Sequence, residues 1–116
     1  MTNRMWKAIL IFAVCLAAPH LALAQDKTHI ERGMKVYTEQ KCSICHSIAG
    51  KGNAKGELDD VGGKLKPDEI RAWLANPVEM AKKINAERKP PMRAYPNLAK
   101  EDVDGLVAYL GSLKKK

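Results

Sequence analysis

The feature that most constrains this chain is the pentapeptide Cys42-Ser43-Ile44-Cys45-His46. Two cysteines three positions apart lie on one side of a helical turn, so both thiols can reach the edge of one rigid ring system. The C-x-x-C-H spacing is typical of covalent attachment of a c-type haem, and the histidine that follows is then available as an iron ligand. The motif therefore predicts one haem c that is bound through Cys42 and Cys45 and ligated by His46.

Three other kinds of site share the C-x-x-C spacing: a redox-active dithiol, a disulfide and half of a zinc site. A thioredoxin-like dithiol would need alternating strands and helices around it, and the chain has no convincing alternation of apolar and polar residues. A zinc site needs further ligands, yet the only other histidine beyond the N-terminal segment is His29, and there is no second cysteine pair. These alternatives stay open, with less support from the surrounding sequence than haem attachment.

Residues 1–24 have the pattern of a secretory signal peptide. Arg4 and Lys7 precede an apolar stretch over residues 8–18, and small residues follow shortly before Gln25. The apolar stretch is shorter than the roughly 20 residues that a membrane-spanning helix needs. We therefore expect cleavage near Gln25, export to the periplasm and no stable membrane insertion of the mature chain.

The remaining residues 25–116 are predicted to form a single domain without a disulfide framework. The third cysteine, Cys15, lies in the predicted signal peptide, so stability must come from the core and the cofactor. The net charge of the full chain is +7. In an exported protein we interpret this charge as steering acidic partner proteins rather than binding nucleic acid, although a generally solvated basic surface would have the same composition.

The first predicted helix runs from Thr28 to Gln40. Its apolar residues Ile30, Met34 and Tyr37 recur at helical spacing, which places them on one face. Gly33 lies on the same face, and a glycine inside a helix costs up to about 1 kcal/mol relative to alanine. We therefore expect a second backbone to cross closely at Gly33, and we expect Met34 to lie in the core.

Prolines and glycines divide the rest of the chain. Residues 47–66 are rich in glycine and polar residues and are predicted to form a loop. A second helix should start at Pro67 and end at Asn76, and a third should follow from Pro77 through Ile84. The proline-rich residues 90–96 cannot be regular helix. A final helix is predicted from Lys100 to Leu113, which makes the chain all-α.

With these elements in this order, residues 27–113 resemble a small monohaem cytochrome c of the class I type, as found in exported bacterial proteins. Gly33 and Tyr37 in the first helix, and Leu106 and Tyr109 in the last, match the positions at which the two terminal helices of that family cross. The resemblance implies the class I cytochrome c fold, with about four helices wrapped around one covalently attached haem.

The resemblance also implies a second iron ligand. The sequence from Met92 to Leu98 is similar to the methionine loops of many bacterial members, and prolines around it would hold a weak thioether ligand in place. Met92 is therefore the predicted distal ligand opposite His46. Met80, in the third helix, is an alternative for which packing against the haem and ligation are equally compatible with the sequence, and His29 is expected to be exposed rather than bound to iron.

One departure from the family pattern concerns the orientation of His46. Class I members commonly have a Gly-Pro-x-Leu sequence whose proline carbonyl accepts the N–H of the proximal histidine. Here the corresponding sequence is Lys55-Gly56-Glu57-Leu58, so glycine replaces the proline. The Gly56 carbonyl remains available for this role, on a more flexible backbone.

A haem iron with a histidine and a methionine ligand has no vacant position for a substrate, so the resemblance implies an electron carrier rather than an enzyme. Its partners would be redox proteins that dock transiently at the exposed haem edge. Lys41, Lys51, Lys55 and Lys89 flank the predicted cofactor segments and are candidate rim charges, and Trp73 and Tyr95 are candidate haem-packing residues. The alternatives are a haem-containing subunit of a larger oxidoreductase, and a gas-binding or peroxidatic haem protein with an open sixth site.

Overall fold

The computed structural model of the chain describes residues 18–86 and 88–116. Their α-helices are α1 (Ala18–Glu39), α2 (Val61–Lys64), α3 (Pro67–Ala75), α4 (Pro77–Lys83) and α5 (Lys100–Ser112). A two-stranded antiparallel sheet, β1 (Ser47–Ile48) and β2 (Lys51–Gly52), pairs Ser47 with Gly52. Because each strand has only two residues, the sheet is a local turn, and the predicted all-α class is confirmed.

Within the described residues, helix α1 extends back to Ala18, ten residues before the predicted start at Thr28. No glycine or proline occurs between Pro19 and Gly33 to interrupt the helix. Most of the predicted signal peptide lies outside the described residues, and its cleavage remains a prediction. In the part of the chain that the structure describes, no helix combines the length and apolar character that a bilayer span requires.

The predicted starts of the middle helices are confirmed. Pro67 is the first residue of α3, and the Lys66 N–H just before it donates to the Glu69 carboxylate at 2.7 Å. Asn76 separates α3 from α4, which Pro77 begins. The predicted loop over residues 47–66 was wrong in part, because it contains β1, β2 and the single helical turn α2.

Helices α1 and α5 cross at two glycines. A Cβ on Gly33 would overlap the carbonyl of Gly105, so the two backbones can approach only because residue 33 has no side chain. Beside the crossing, the rings of Tyr37 and Tyr109 pack edge to face with centroids 5.9 Å apart. The close backbone approach predicted at Gly33 is confirmed.

The hydrophobic core lies between α3 and the crossing of α1 and α5. Its buried apolar residues are Val36, Ile70, Leu74, Leu106, Val107 and Leu110. The expectation that Met34 lies in the core was wrong, since Met34 is 49% exposed. Gly33 marks the face that meets α5, and Met34 lies about 100° further round the helix. Val36 faces the core instead.

Candidate functional site

The C-x-x-C-H segment begins shortly after the end of α1 at Glu39. Lys41 adopts the left-handed conformation, with φ 55° and ψ 40°, which turns the chain away from the helix axis. A 3₁₀ turn over Cys42–Ile44 follows, and the Cys42 carbonyl accepts the N–H groups of Cys45 at 3.1 Å and His46 at 2.9 Å. This turn places both half-buried cysteines at the wall of one cavity.

The imidazole of His46 is oriented by one hydrogen bond. Its Nδ1 lies 2.9 Å from the carbonyl oxygen of Gly56. A carbonyl only accepts, so Nδ1 carries the proton and donates it, which leaves the lone pair of Nε2 free for a metal. Burial lowers the pKa of His46 and outweighs the opposing effect of this hydrogen bond, so the neutral, metal-binding form is favoured.

Two glycines allow the backbone to approach His46. A Cβ on Gly52, whose φ is +109°, would overlap the His46 carbonyl, and a Cβ on Gly56 would overlap the Cys45 carbonyl. Asn53, between them, donates its backbone N–H to the carbonyls of Ser43 and His46, at 3.2 and 3.0 Å. We name residues 42–58 the attachment segment. It folds tightly on itself because Gly52 and Gly56 have no side chain, and because the backbone N–H of Asn53 is hydrogen-bonded within the segment.

A cavity of about 1490 Å³ opens between the attachment segment, α3, α4 and residues 88–98, which we name the methionine loop. Drug-sized ligands occupy about 300–1,000 Å³, so the volume suits a large cofactor. The lining includes both cysteines, His46 and an apolar wall from Leu58, Leu65, Ile70, Trp73, Leu74, Leu106 and Leu110. The predicted haem-packing residues Trp73 and Tyr95 are both in the lining.

Of the candidate distal ligands, Met92 and Met80 line the cavity. Met92 is half-buried and packs against the hydrophobic core. Met34 is largely exposed and is not among the lining residues. His29 is exposed as expected and is also outside the lining. The choice of distal ligand therefore lies between Met92 and Met80.

The four predicted rim lysines separate into two pairs. All four are exposed, but only Lys41 and Lys89 line the cavity, whereas Lys51 and Lys55 do not. Sequence reasoning missed Arg88, which is half-buried in the cavity wall beside Gly56. No pattern in the sequence marks this arginine, because it lies 32 positions from the glycine it meets.

The cavity wall also contains an unpartnered polar atom. The hydroxyl of Tyr37 is buried and finds no hydrogen-bond partner among the described residues. Burial, with the nearby Cys42 and Tyr109, raises the pKa of Tyr37 to about 12, so this group stays protonated. A buried hydroxyl left without a partner is costly. This orphaned donor, the two thiols, the oriented imidazole and the apolar wall together fit a covalently bound, largely apolar macrocycle.

The zinc alternative is not supported by the same donors. In residues 18–86 and 88–116, no three or more His, Cys, Asp or Glu side chains converge to hold a metal ion. A tetrahedral zinc site needs four such ligands around one point. Cys42, Cys45 and His46 instead line an extended wall, as attachment to a planar ring requires.

Comparison with known proteins agrees with this geometry. The Cytochrome c family model matches residues 30–114. The chain belongs to the cytochrome c family. This membership confirms the class I-type fold and the covalently bound c-type haem, and it shows that the protein takes part in haem-based electron transfer with redox partners.

The chain is similar to the cytochrome c oxidase subunit 2 of Alkalihalophilus pseudofirmus. The two sequences are 33% identical over 97 residues, which cover 76% of this cytochrome c chain. The chain spans 27% of the length of that relative. No solved structure matches the chain.

Proposed function

We propose that this cytochrome c is a carrier that passes one electron at a time between redox proteins of the periplasm or its bounding membrane. The observation that carries the proposal is the His46 imidazole, oriented by Gly56 so that Nε2 is free, in the same cavity as Cys42, Cys45 and Met92. Such a set of donors attaches the cofactor and supplies both axial positions of its iron. Periplasmic location is supported by the signal-peptide pattern of residues 1–24.

Each proposed site residue has one role. The thiols of Cys42 and Cys45 form the two thioether bonds, and His46 Nε2 is the proximal iron ligand. Met92 is the distal ligand, and its soft thioether favours the reduced iron. When bound, the haem supplies one-electron chemistry between Fe(II) and Fe(III). The protein keeps both axial positions filled, which disfavours catalysis on a bound substrate.

Docking is proposed at the exposed rim of the cavity. Ile44 and Ile84 are 66% and 63% exposed there, and Lys41 and Lys89 lie in the same lining. Exposed apolar side chains together with lysines in one lining fit a transient complex with an acidic partner. Since Lys51 and Lys55 lie outside the lining, only the first pair of lysines should act on docking.

Charge reversal tests this docking surface. We expect the double variant K41E/K89E to slow oxidation by ferricyanide, an anionic one-electron oxidant, and to reduce the salt dependence of the rate. The matched control K51E/K55E changes the net charge by the same amount away from the cavity and should have the smaller effect. Equal effects from the two variants, measured by stopped flow, would contradict a localised docking rim.

The ligand assignment is tested by the visible spectrum of the protein matured with haem, oxidised and reduced. We expect the weak long-wavelength charge-transfer band of methionine bound to Fe(III), and no spectral change when carbon monoxide is added to the reduced form. Absence of the band together with ready carbon monoxide binding would reject the carrier and support a gas-binding or peroxidatic haem with an open sixth position.

A second candidate function is a haem-containing subunit or domain of a larger oxidoreductase. It is favoured by the similarity to a cytochrome c oxidase subunit 2. Size-exclusion chromatography of gently extracted native material separates the two functions. A free monomer of about the mass of residues 25–116 with one haem supports the diffusing carrier, whereas stable co-elution with other redox subunits supports the larger complex.

A further inference from the structure

Arg88 lies in the cavity wall at the start of the methionine loop, in contact with the attachment segment. Its side chain is half-buried. One terminal nitrogen, Nη1, lies so close to Gly56 that a Cβ on residue 56 would clash with it. The guanidinium therefore lies against the backbone of Gly56, and any side chain at position 56 would push it away.

The same point adjoins the proximal imidazole. An ideal Cβ on Gly56 would be 2.9 Å from Nδ1 of His46 as well as in overlap with Arg88 Nη1. The guanidinium, the Gly56 peptide and the imidazole N–H thus share one small volume. The positive charge of the guanidinium is therefore close to the ring, because Nη1 of Arg88 and Nδ1 of His46 both lie near this one point.

No described carboxylate neutralises Arg88. The ion pairs in the described part of the chain use Arg32, Arg71 and several lysines, and none of them includes Arg88. Glu57, the acidic residue next to Gly56, is instead paired with Lys115 at 2.6 Å. The charge beside His46 is therefore uncompensated by the residues that the structure describes.

We propose that Arg88 raises the reduction potential of the haem iron by holding its positive charge against the His46–Gly56 hydrogen bond. This inference rests on the proposed ligation of the iron by His46. Oxidation of the iron adds one positive charge to the site, so a fixed positive charge nearby opposes oxidation. Half-burial of the guanidinium limits screening by water and salt, which lets one side chain have a measurable effect.

Arg88 thus acts on the iron through its positive charge and is not an iron ligand. Gly56 has two roles in this arrangement: its carbonyl orients the imidazole, and its missing side chain admits the guanidinium. This effect on the potential depends on residues from two segments far apart in sequence. The sequence of either segment alone does not indicate it.

The test measures the midpoint potential of the holoprotein for R88Q, R88K and a matched control. We expect R88Q to lower the potential and R88K to restore most of it, because a lysine keeps the charge. The control K82Q removes a positive charge from another cavity-lining residue that is 71% exposed and paired with Glu79 at 3.2 Å. Its effect on the potential should be smaller and should vanish at high ionic strength, whereas the R88Q effect should persist.

An R88Q potential equal to that of the wild type, or a shift no larger than that of K82Q, would overturn the inference. So would a lowered potential that R88K fails to restore, since the effect would then come from packing rather than charge. The spectrum of each variant separates this result from failure of the proposed function. If the wild type lacks covalent haem or the methionine band, the proposed ligand set is wrong; if both are intact and the potential does not respond, only the role of Arg88 is wrong.

Discussion

The two sides of the haem cavity are held in different ways. The attachment segment is bound by successive backbone hydrogen bonds, among them Asn53 N–H to the Ser43 and His46 carbonyls and Leu58 N–H to the Ser47 carbonyl. In the described methionine loop, one backbone hydrogen bond reaches the helices, from Tyr95 N–H to the Leu74 carbonyl at 2.9 Å. The rest of the loop depends on its prolines and on the packing of Met92, Tyr95 and Leu98 against the core.

This difference follows the chemistry proposed for each side. Covalent attachment and imidazole ligation require three side chains in a fixed arrangement, so a rigid backbone is an advantage there. A thioether is a weak ligand, and a loop with few hydrogen bonds can release it locally without unfolding the domain. The comparison predicts that changes in the attachment segment affect haem attachment and the stability of the whole domain, whereas changes at Met92 and the prolines around it affect the sixth ligand.

The largest effect is expected from C42A/C45A, which removes both thioether bonds. We expect complete loss of covalently bound haem, because no other cysteine of the described residues is available for attachment. Mass spectrometry of the denatured protein measures this as the loss of one haem mass. The control I44A alters the exposed residue between the two cysteines and should retain the haem. Covalent haem in the double variant would contradict the attachment role.

The variant M92A should lose the methionine band and bind carbon monoxide while it keeps its covalent haem. The control M80A alters the other methionine of the cavity lining and should keep the band. The visible spectra of both variants make the measurement. If the band disappears in M80A and survives in M92A, the distal ligand comes from α4, and the contrast between the two segments loses its basis.

In the attachment segment, G56A should destabilise the holoprotein by about 1–3 kcal/mol, because a Cβ would overlap the Cys45 carbonyl and displace both His46 and Arg88. Urea unfolding measures the loss. The control G111A adds a methyl group to a helical glycine with open space around it, and should increase stability by up to about 1 kcal/mol. Equal stabilities of the two variants would show that position 56 tolerates a side chain.

The smallest effect is expected from P91A, which frees the methionine loop in the unligated state and weakens methionine binding by about 0.4–1 kcal/mol. The methionine band should then disappear at a lower temperature, while the far-ultraviolet circular dichroism transition stays unchanged. The control P67A changes the first residue of α3 and should leave the band unaffected. If P91A shifts both transitions together, the loop does not open independently.

Much of the fold could be predicted because its signals are local. Proline at positions 67 and 77 marks the starts of α3 and α4, and the glycine at position 33 marks a close backbone approach. The exact core face of α1 could not be predicted, since periodicity alone allowed Met34 as readily as Val36. The crossing partner decides which side of the helix is buried, and that partner is about 70 residues away in α5, as the Arg32–Asp102 pair at the crossing shows.

The sequence by itself determined the cofactor chemistry, because the C-x-x-C-H motif consists of five consecutive residues and needs no tertiary contact to bring them together. Only the tertiary structure decided how that chemistry is tuned. It showed that the Gly56 carbonyl orients His46, that Met92 and Met80 reach the cavity while Met34 does not, and that Arg88 lies against Gly56, beside His46. These contacts join residues far apart in the chain, and their distances depend on how the helices pack rather than on any local preference.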